Sequence, residues 1–291
     1  MLVSRSRAAD LALVLNTVIW GTTFVVVKQA LNDCSVLLFL ALRFSIAGIA
    51  LAVIFGRGLE FSRRGVAGGI LAGLFLIGGY ILQTAGLLWT TASKSGFLTG
   101  LNVVLVPLLS AIVYKSVPGW REWTGALLAL AGMALMTLEN LQFAMNRGDS
   151  LTVACAVAFA FHPLVIARFA GSGTKVISLV QIATGAILAW ALVPLLEQPF
   201  VRWTPQLIGA LAVTGLLATA LVFTLQTWAQ QYTTPTRVAL IFAMEPVIAA
   251  ATGVAVAGDR LAVHAWLGAA LILAAILLVE LKPLAEASHP K

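Results

Sequence analysis

The 291-residue chain is 60% apolar and only 10% charged, against roughly 25% charged residues in soluble domains. At a mean hydropathy of +1.00, so few charges cannot cover a water-facing surface. This excludes soluble domains and points to a polytopic protein with the bilayer as its solvent. The net charge of +7 would suggest nucleic acid in a soluble protein, but no basic run with interleaved aromatics is present, and Lys and Arg in loops set topology in a membrane.

Windows of about 20 apolar residues suffice to span the hydrocarbon core. They predict ten helices, over 11–29, 36–55, 66–89, 96–115, 122–139, 150–169, 176–196, 206–230, 236–257 and 264–281. The first follows Arg5 and Arg7, as a signal peptide would. It runs on through Val27 without a small-residue cleavage site, so it reads as a spanning helix. Asn16, Trp20, Thr23 and Val27 share one of its faces, and Lys28 marks its outer end, where an ammonium can snorkel. Thr22 and Thr23 can return hydrogen bonds to their own helix, while Gly21 permits a close approach or a bend. Helix two carries Arg43, which either snorkels outward or pairs within the bundle.

Helix three sets Tyr80, Gln83 and Thr84 on one face, with Gly69 and Gly73 placed for close helix packing. Helix four has Lys94 near its start, Asn102 at depth, and Gly96 with Gly100 as a second packing pair. Helix six contains His162 before Pro163, with Cys155, Phe159 and Ile166 at helical spacing. Thr219, Phe223, Gln226 and Gln230 share a face of helix eight. Helix nine begins near Arg237 and carries Glu245-Pro246 near its middle. Cys34 in a loop and Cys155 at a helix start do not indicate a disulfide framework.

With the N-terminus inside, twelve Lys and Arg residues face the cytoplasm and five face outward, with Arg43 inside a helix. Both termini are therefore expected in the cytoplasm. Most Trp residues fall at helix ends, as an interfacial belt requires; Trp20 alone lies deep. The chain also repeats itself at an offset of 143: Gln226-Thr227 falls on Gln83-Thr84, Arg237 on Lys94, Glu245 on Asn102, and Trp266 on Trp123. Pro107 and Pro246 are offset by 139. Five helices per half is an odd number, so the second half enters the membrane from the opposite side. Inverted repeats of this kind are a design of secondary transporters, with the substrate site at the repeat interface near the midplane.

These features resemble the EamA-type proteins of the drug/metabolite transporter superfamily. The matching pieces are Trp20-Gly21-Thr22-Thr23-Phe24 with Lys28, Arg43-Phe44, Gln83 to Gly86, Ser93 to Gly96 and Trp123-Thr124-Gly125-Ala126-Leu127. In the second half they are Glu245-Pro246, Gly258-Asp259-Arg260 and Trp266-Leu267-Gly268. The resemblance implies an all-α integral membrane protein of ten helices in two inverted five-helix repeats. Repeat one would cover 1–140, repeat two 148–282, and 283–291 would be a cytoplasmic tail. It also implies export or exchange of small metabolites such as amino acids, a bacterial inner (cell) membrane location, and a cavity lined by helices one, three, four, six, eight and nine. One departure stands out. Where the second repeat often begins with a Trp- or Tyr-containing segment, this chain reads Ala160-Phe161-His162-Pro163-Leu164.

Ionisable groups at depth are costly, about 2.5–3.5 kcal/mol even on insertion scales, and are usually functional. Glu245 is either a cavity carboxylate for a cationic or amine group, or a protonated or paired lock between helices. His162 either titrates near neutrality during transport or sits neutral on a backbone carbonyl freed by Pro163. The expected substrate contacts are Trp20, Thr23, Tyr80, Gln83, Asn102, His162, Gln226 and Glu245. Lys28, Arg43, Lys94 and Arg237 are expected as gating or structural charges.

The chain has no H-E-x-x-H, G-x-S-x-G or Walker sequence. No catalytic residue, metal or cofactor is expected, and an ATP-driven pump or metal hydrolase is disfavoured. The leading expectation is a secondary transporter exporting amino acids or related amines. An uptake permease or exchanger of the same fold is the alternative, and a non-transporting scaffold or intramembrane enzyme is the alternative of another class. The expected partners are a small-molecule substrate and the lipid bilayer; a homodimer is an assembly such a chain permits, and no nucleic acid is expected.

Overall fold

The computed structural model describes residues 2–115, 118–137, 145–252 and 262–280. The end of helix nine, the Gly258-Asp259-Arg260 motif and the segment 283–291 lie outside the described residues. The described chain is helical: α1 (Leu2–Gly21), α2 (Thr23–Ala30), α3 (Val36–Phe55), α4 (Arg63–Gly86), α5 (Ala92–Gly100), α6 (Asn102–Tyr114) and α7 (Trp120–Thr137). There follow α8 (Arg147–Arg168), α9 (Thr174–Leu196), α10 (Pro205–Ala212), a π-helical stretch (Val213–Leu221), α11 (Val222–Ala229), α12 (Pro235–Phe242), α13 (Glu245–Thr252) and α14 (Val263–Glu280). An isolated bridge between Cys34 and Val201 is the one β-type pairing among the described residues.

Seven continuous stretches among the described residues are long and apolar enough to cross a membrane: Arg5–Ala30, Val36–Phe55, Arg63–Gly86, Lys94–Tyr114, Arg147–Arg168, Thr174–Leu196 and Pro205–Ala229. Large apolar side chains such as Leu11, Val53, Ile187 and Leu195 point outward at 68–78% exposure, which water would not tolerate in this density and lipid requires.

Several predicted helices are broken. Thr22 interrupts the first at a turn between α1 and α2, beside Gly21. Leu101 separates α5 from α6, and Ala243-Met244 separates α12 from α13. Leu101 and Met244 lie at the repeat offset of 143, so the breaks are mates. Glu245 and Asn102 therefore do not sit inside continuous helices: each opens the second piece of a broken one. Pro246 is the second residue of α13, where its missing N–H removes no intrahelical hydrogen bond. In α10–α11 the backbone widens to the π form; Thr219 Oγ1 donates to Thr214 O, five residues back, at 2.7 Å.

Helices approach closely where glycine permits it. α7 packs on α14, where a Cβ at Gly132 would lie 2.5 Å from Gly268 O. Gly69 and Gly73 of α4 bring α9 close, as expected, with a Cβ meeting Val180 Cβ at 2.6 Å and Gln181 O at 2.7 Å respectively. Gly100 packs on Met133, but Gly96 faces open space, so the second expected packing pair reduces to one residue. At one end, Glu197 reaches across to cap α3, accepting from Ser35 Oγ at 2.9 Å and Leu38 N at 2.8 Å. Cys34 and Cys155 are free and buried. Burial, and then the neighbouring Glu197, push the Cys34 thiol up to about 12.

Candidate functional site

A cavity of about 90 Å³, several times the roughly 10–15 Å³ that one water needs, lies among the broken helices. Trp20, Thr23, Tyr80, Gln83, Asn102, His162, Gln226 and Glu245 all line it, so the eight expected contacts converge on one space. They come from α1–α2, α4, α6, α8, α11 and α13. Arg43 lines it as well, which brings in α3, an element not expected at the cavity. Phe24, Thr99, Phe159, Phe223 and Phe242 complete much of the wall. The spacing of Phe159 already places it on the face of His162; Thr99 stands three residues before Asn102, a spacing that signals a shared face in the same way.

Trp20 is held by its polar edge: its indole N–H donates to Ala218 O at 3.1 Å. Its ring packs edge-on against Phe242, with centroids 4.9 Å apart, and tilted on Phe223 at 5.4 Å. Thr22 and Thr23 return hydrogen bonds to Ile19 O and Trp20 O, each at 2.9 Å, which satisfies their hydroxyls within the helix. Asn16, on the same stripe, is spent differently: its amide donates to Val222 O at 3.0 Å and it is not among the cavity residues.

Arg43 is 2% exposed. Its Nε donates to Thr219 Oγ1 at 2.7 Å, and its Nη2 donates to Tyr80 OH at 3.0 Å and Ala218 O at 3.3 Å. The guanidinium carbon lies 4.4 Å from the Tyr80 ring centroid. Of the two readings of Arg43, the structure therefore shows the one in which it pairs within the bundle. Thr219 and Ala218 belong to the π-helical stretch, whose Ala218 carbonyl serves both Arg43 and Trp20. Local widening of this kind is frequent at functional sites because it re-aims backbone groups.

His162 does not rest on a backbone carbonyl. Its Nε2 donates to Gln181 Oε1 at 2.8 Å, and Gln181 Nε2 donates to Thr227 Oγ1 at 3.2 Å. Gln181 lies in the seventh predicted window three residues from both Ser178 and Thr184, a spacing that signals a shared polar face. Gln230 instead donates to Pro163 O at 2.8 Å. Gln83 donates to Thr99 Oγ1 at 3.0 Å and Gln226 to Gln230 Oε1 at 3.1 Å. Two buried acceptors on the lining residues have no protein partner: Gln226 Oε1 and Glu245 Oε1.

The remaining expected charges lie away from the cavity. Lys94 pairs with Asp149 at 2.6 Å, Arg237 with Asp10 at 2.9 Å, and Lys28 donates to Thr90 O. Asp149 and Asp10 are 139 residues apart, the offset of the two prolines, so the pairs occupy equivalent places in the repeat. Among the described residues no group of three His, Cys, Asp or Glu side chains could hold a metal.

Comparison with known proteins agrees with this architecture. The profile of the EamA-like transporter family matches residues 7–138 and again 146–281. An uncharacterized transporter of Archaeoglobus fulgidus is 34% identical over 284 residues, covering 94% of this chain and 86% of the relative. The uncharacterized transporter YwfM of Bacillus subtilis is 27% identical over 286 residues, covering 93% and 94%. A solved crystal structure superposes with a TM-score of 0.79 at 21% identity, covering 94% of this chain and 97% of the other, which shows a shared fold.

Proposed function

This chain belongs to the EamA-like transporter family, and on that premise we propose that it is a secondary transporter exporting an amino acid or related amine by alternating access. One observation supports this most: both sequence halves contribute polar side chains to one cavity inside an otherwise apolar bundle. The paired breaks at Leu101 and Met244 support it further, since discontinuous helices at a repeat interface are where transporters form substrate sites. In this reading the chain has ten spans, with 1–140 and 148–282 as inverted repeats. Both termini and the segment 283–291 lie in the cytoplasm, and the host is the cell membrane. Trp20, Thr23, Tyr80, Gln83, Asn102, His162, Gln226 and Glu245 contact the substrate.

Purified protein in liposomes, tested with labelled amino acids and amines, checks the reading. Counterflow of at least one of them is expected, and outward transport from cells or uptake into everted vesicles is expected to exceed the reverse. Absence of protein-dependent flux, with or without a pH gradient, counts against it. Glu245→Gln is expected to lower flux at least tenfold and to flatten its pH dependence. A variant with normal flux and pH profile would make Glu245 a helix lock.

A further inference from the structure

Arg43 presents an energetic question that its neighbours do not answer. A guanidinium keeps its charge and offers five N–H donors in a fixed fork. Here it is 98% buried, since only 2% of its surface is exposed. All its protein partners are neutral: a threonine hydroxyl, a tyrosine hydroxyl, a carbonyl and an aromatic face. The ion pairs among the described residues are Lys94–Asp149, Arg202–Asp33 and Arg237–Asp10, and none involves Arg43. A buried cation without an anion is expensive, and a neutral donor could tie Thr219 to Tyr80 at lower cost. Nη1 has no hydrogen bond among the described residues, and the residue lines the cavity.

Glu245 lines the same cavity with Oε1 buried and unpartnered. It stands at the first position of α13. One space therefore contains an uncompensated fork donor, an uncompensated carboxylate, and apolar walls from Trp20, Phe159 and Phe223. A molecule with a carboxylate, an ammonium and an apolar body would satisfy all three. A plain amine would leave Arg43 unpaired.

We propose that Arg43 reads the carboxylate of the transported molecule while Glu245 takes its ammonium group, so the substrates are zwitterionic amino acids with apolar side chains rather than amines. This rests on the transport reading above, and it moves Arg43 from a structural charge to a specificity-determining contact.

The test compares matched sets in proteoliposomes: each apolar amino acid, its amide, and the amine left by removing its carboxyl group. With the unaltered protein, the amino acid is expected to compete for counterflow on the order of 10–100-fold better than its amide or amine, the range that one or two charge-assisted hydrogen bonds supply. Arg43→Gln is expected to remove most of that discrimination, and Arg43→Lys to keep part of it through the retained charge. If Arg43 were only structural, both variants would lower flux of every compound in parallel, with the acid-to-amide ratio unchanged. If Arg43→Gln does not fold, competition in the unaltered protein still decides. Amines and amides competing as well as acids would overturn the role of Arg43 while leaving the transporter reading intact. Absence of flux for every compound would overturn that reading and this proposal with it.

Discussion

The two ion pairs at the ends of the cavity helices occupy matching places in the repeat but are built unequally. At one end Asp149 has no exposed side-chain surface. It takes Lys94 at 2.6 Å, Thr90 Oγ1 at 2.7 Å and Asn146 N at 2.8 Å. Asn146 in turn accepts from Asp149 N at 2.9 Å, a reciprocal capping box on α8. Lys28 reaches the same place through Thr90 O. At the other end Asp10 and Arg237 retain 21% and 29% side-chain exposure, and Asp10 Oδ1 has no partner. The two cations are similarly exposed, Lys94 at 25% and Arg237 at 29%, so the difference lies in the carboxylate, buried in the first pair and partly exposed in the second. The repeat thus keeps position without keeping strength. Of the two pairs, the one at Asp149 costs more to break in this arrangement.

The largest expected effect comes from Asp149→Asn. Removing one partner of a buried ion pair costs about 3–5 kcal/mol, and here it also leaves one acceptor oxygen where two served Thr90 and the Asn146 N–H. A clear fall in melting temperature of the detergent-solubilised protein is expected. A fall no larger than that of Asp10→Asn would erase the difference between the two ends. Next is Gly148→Ala. Its added Cβ would overlap Gly86 O and stand 3.0 Å from both Thr90 N and Trp89 Cβ. Overpacking of this kind costs about 1–3 kcal/mol, measurable in the same melting experiment.

How much of this was legible beforehand depends on how far apart the interacting residues lie in sequence. The offset of 143 paired Lys94 with Arg237 and Asn102 with Glu245, because a repeat is written in local order. The eight cavity contacts were legible because polar side chains at helical spacing in an apolar chain must face something other than lipid. The breaks at Leu101 and Met244 were not legible. Neither is a Gly or Pro, and the two halves of each broken helix share neighbours, α5 and α6 on α7 and α8, α12 and α13 on α1, α7 and α14, so no change of partner marks the turn. Which of its two readings holds for Arg43 is not legible for a related reason. Its partners lie on α4 and in the π-helical stretch, and nothing in the residues around 43 announces them. Gln181, spaced three residues from Ser178 and Thr184, is legible as part of a polar face, but its bond to His162 on another helix is not.

Asn146→Ala sharpens the contrast at the stronger end alone. Loss of the cap is expected to lower stability by about 1 kcal/mol, with the Lys94–Asp149 bond still formed. The smallest effect is expected from Asp10→Asn. The pair it breaks is partly exposed, and such pairs contribute about 0.2–1 kcal/mol. Part of that is recovered because Arg237 can turn toward water. Screening supplies an independent check: at 1 M salt the Debye length falls to about 3 Å. The difference in melting temperature between Asp10→Asn and the unaltered protein should then nearly vanish. That of Asp149→Asn should persist, because its network is shielded from ions. A salt-insensitive loss at Asp10 as large as that at Asp149 would mean that the weaker end is also a buried network, and that the two pairs differ in appearance only.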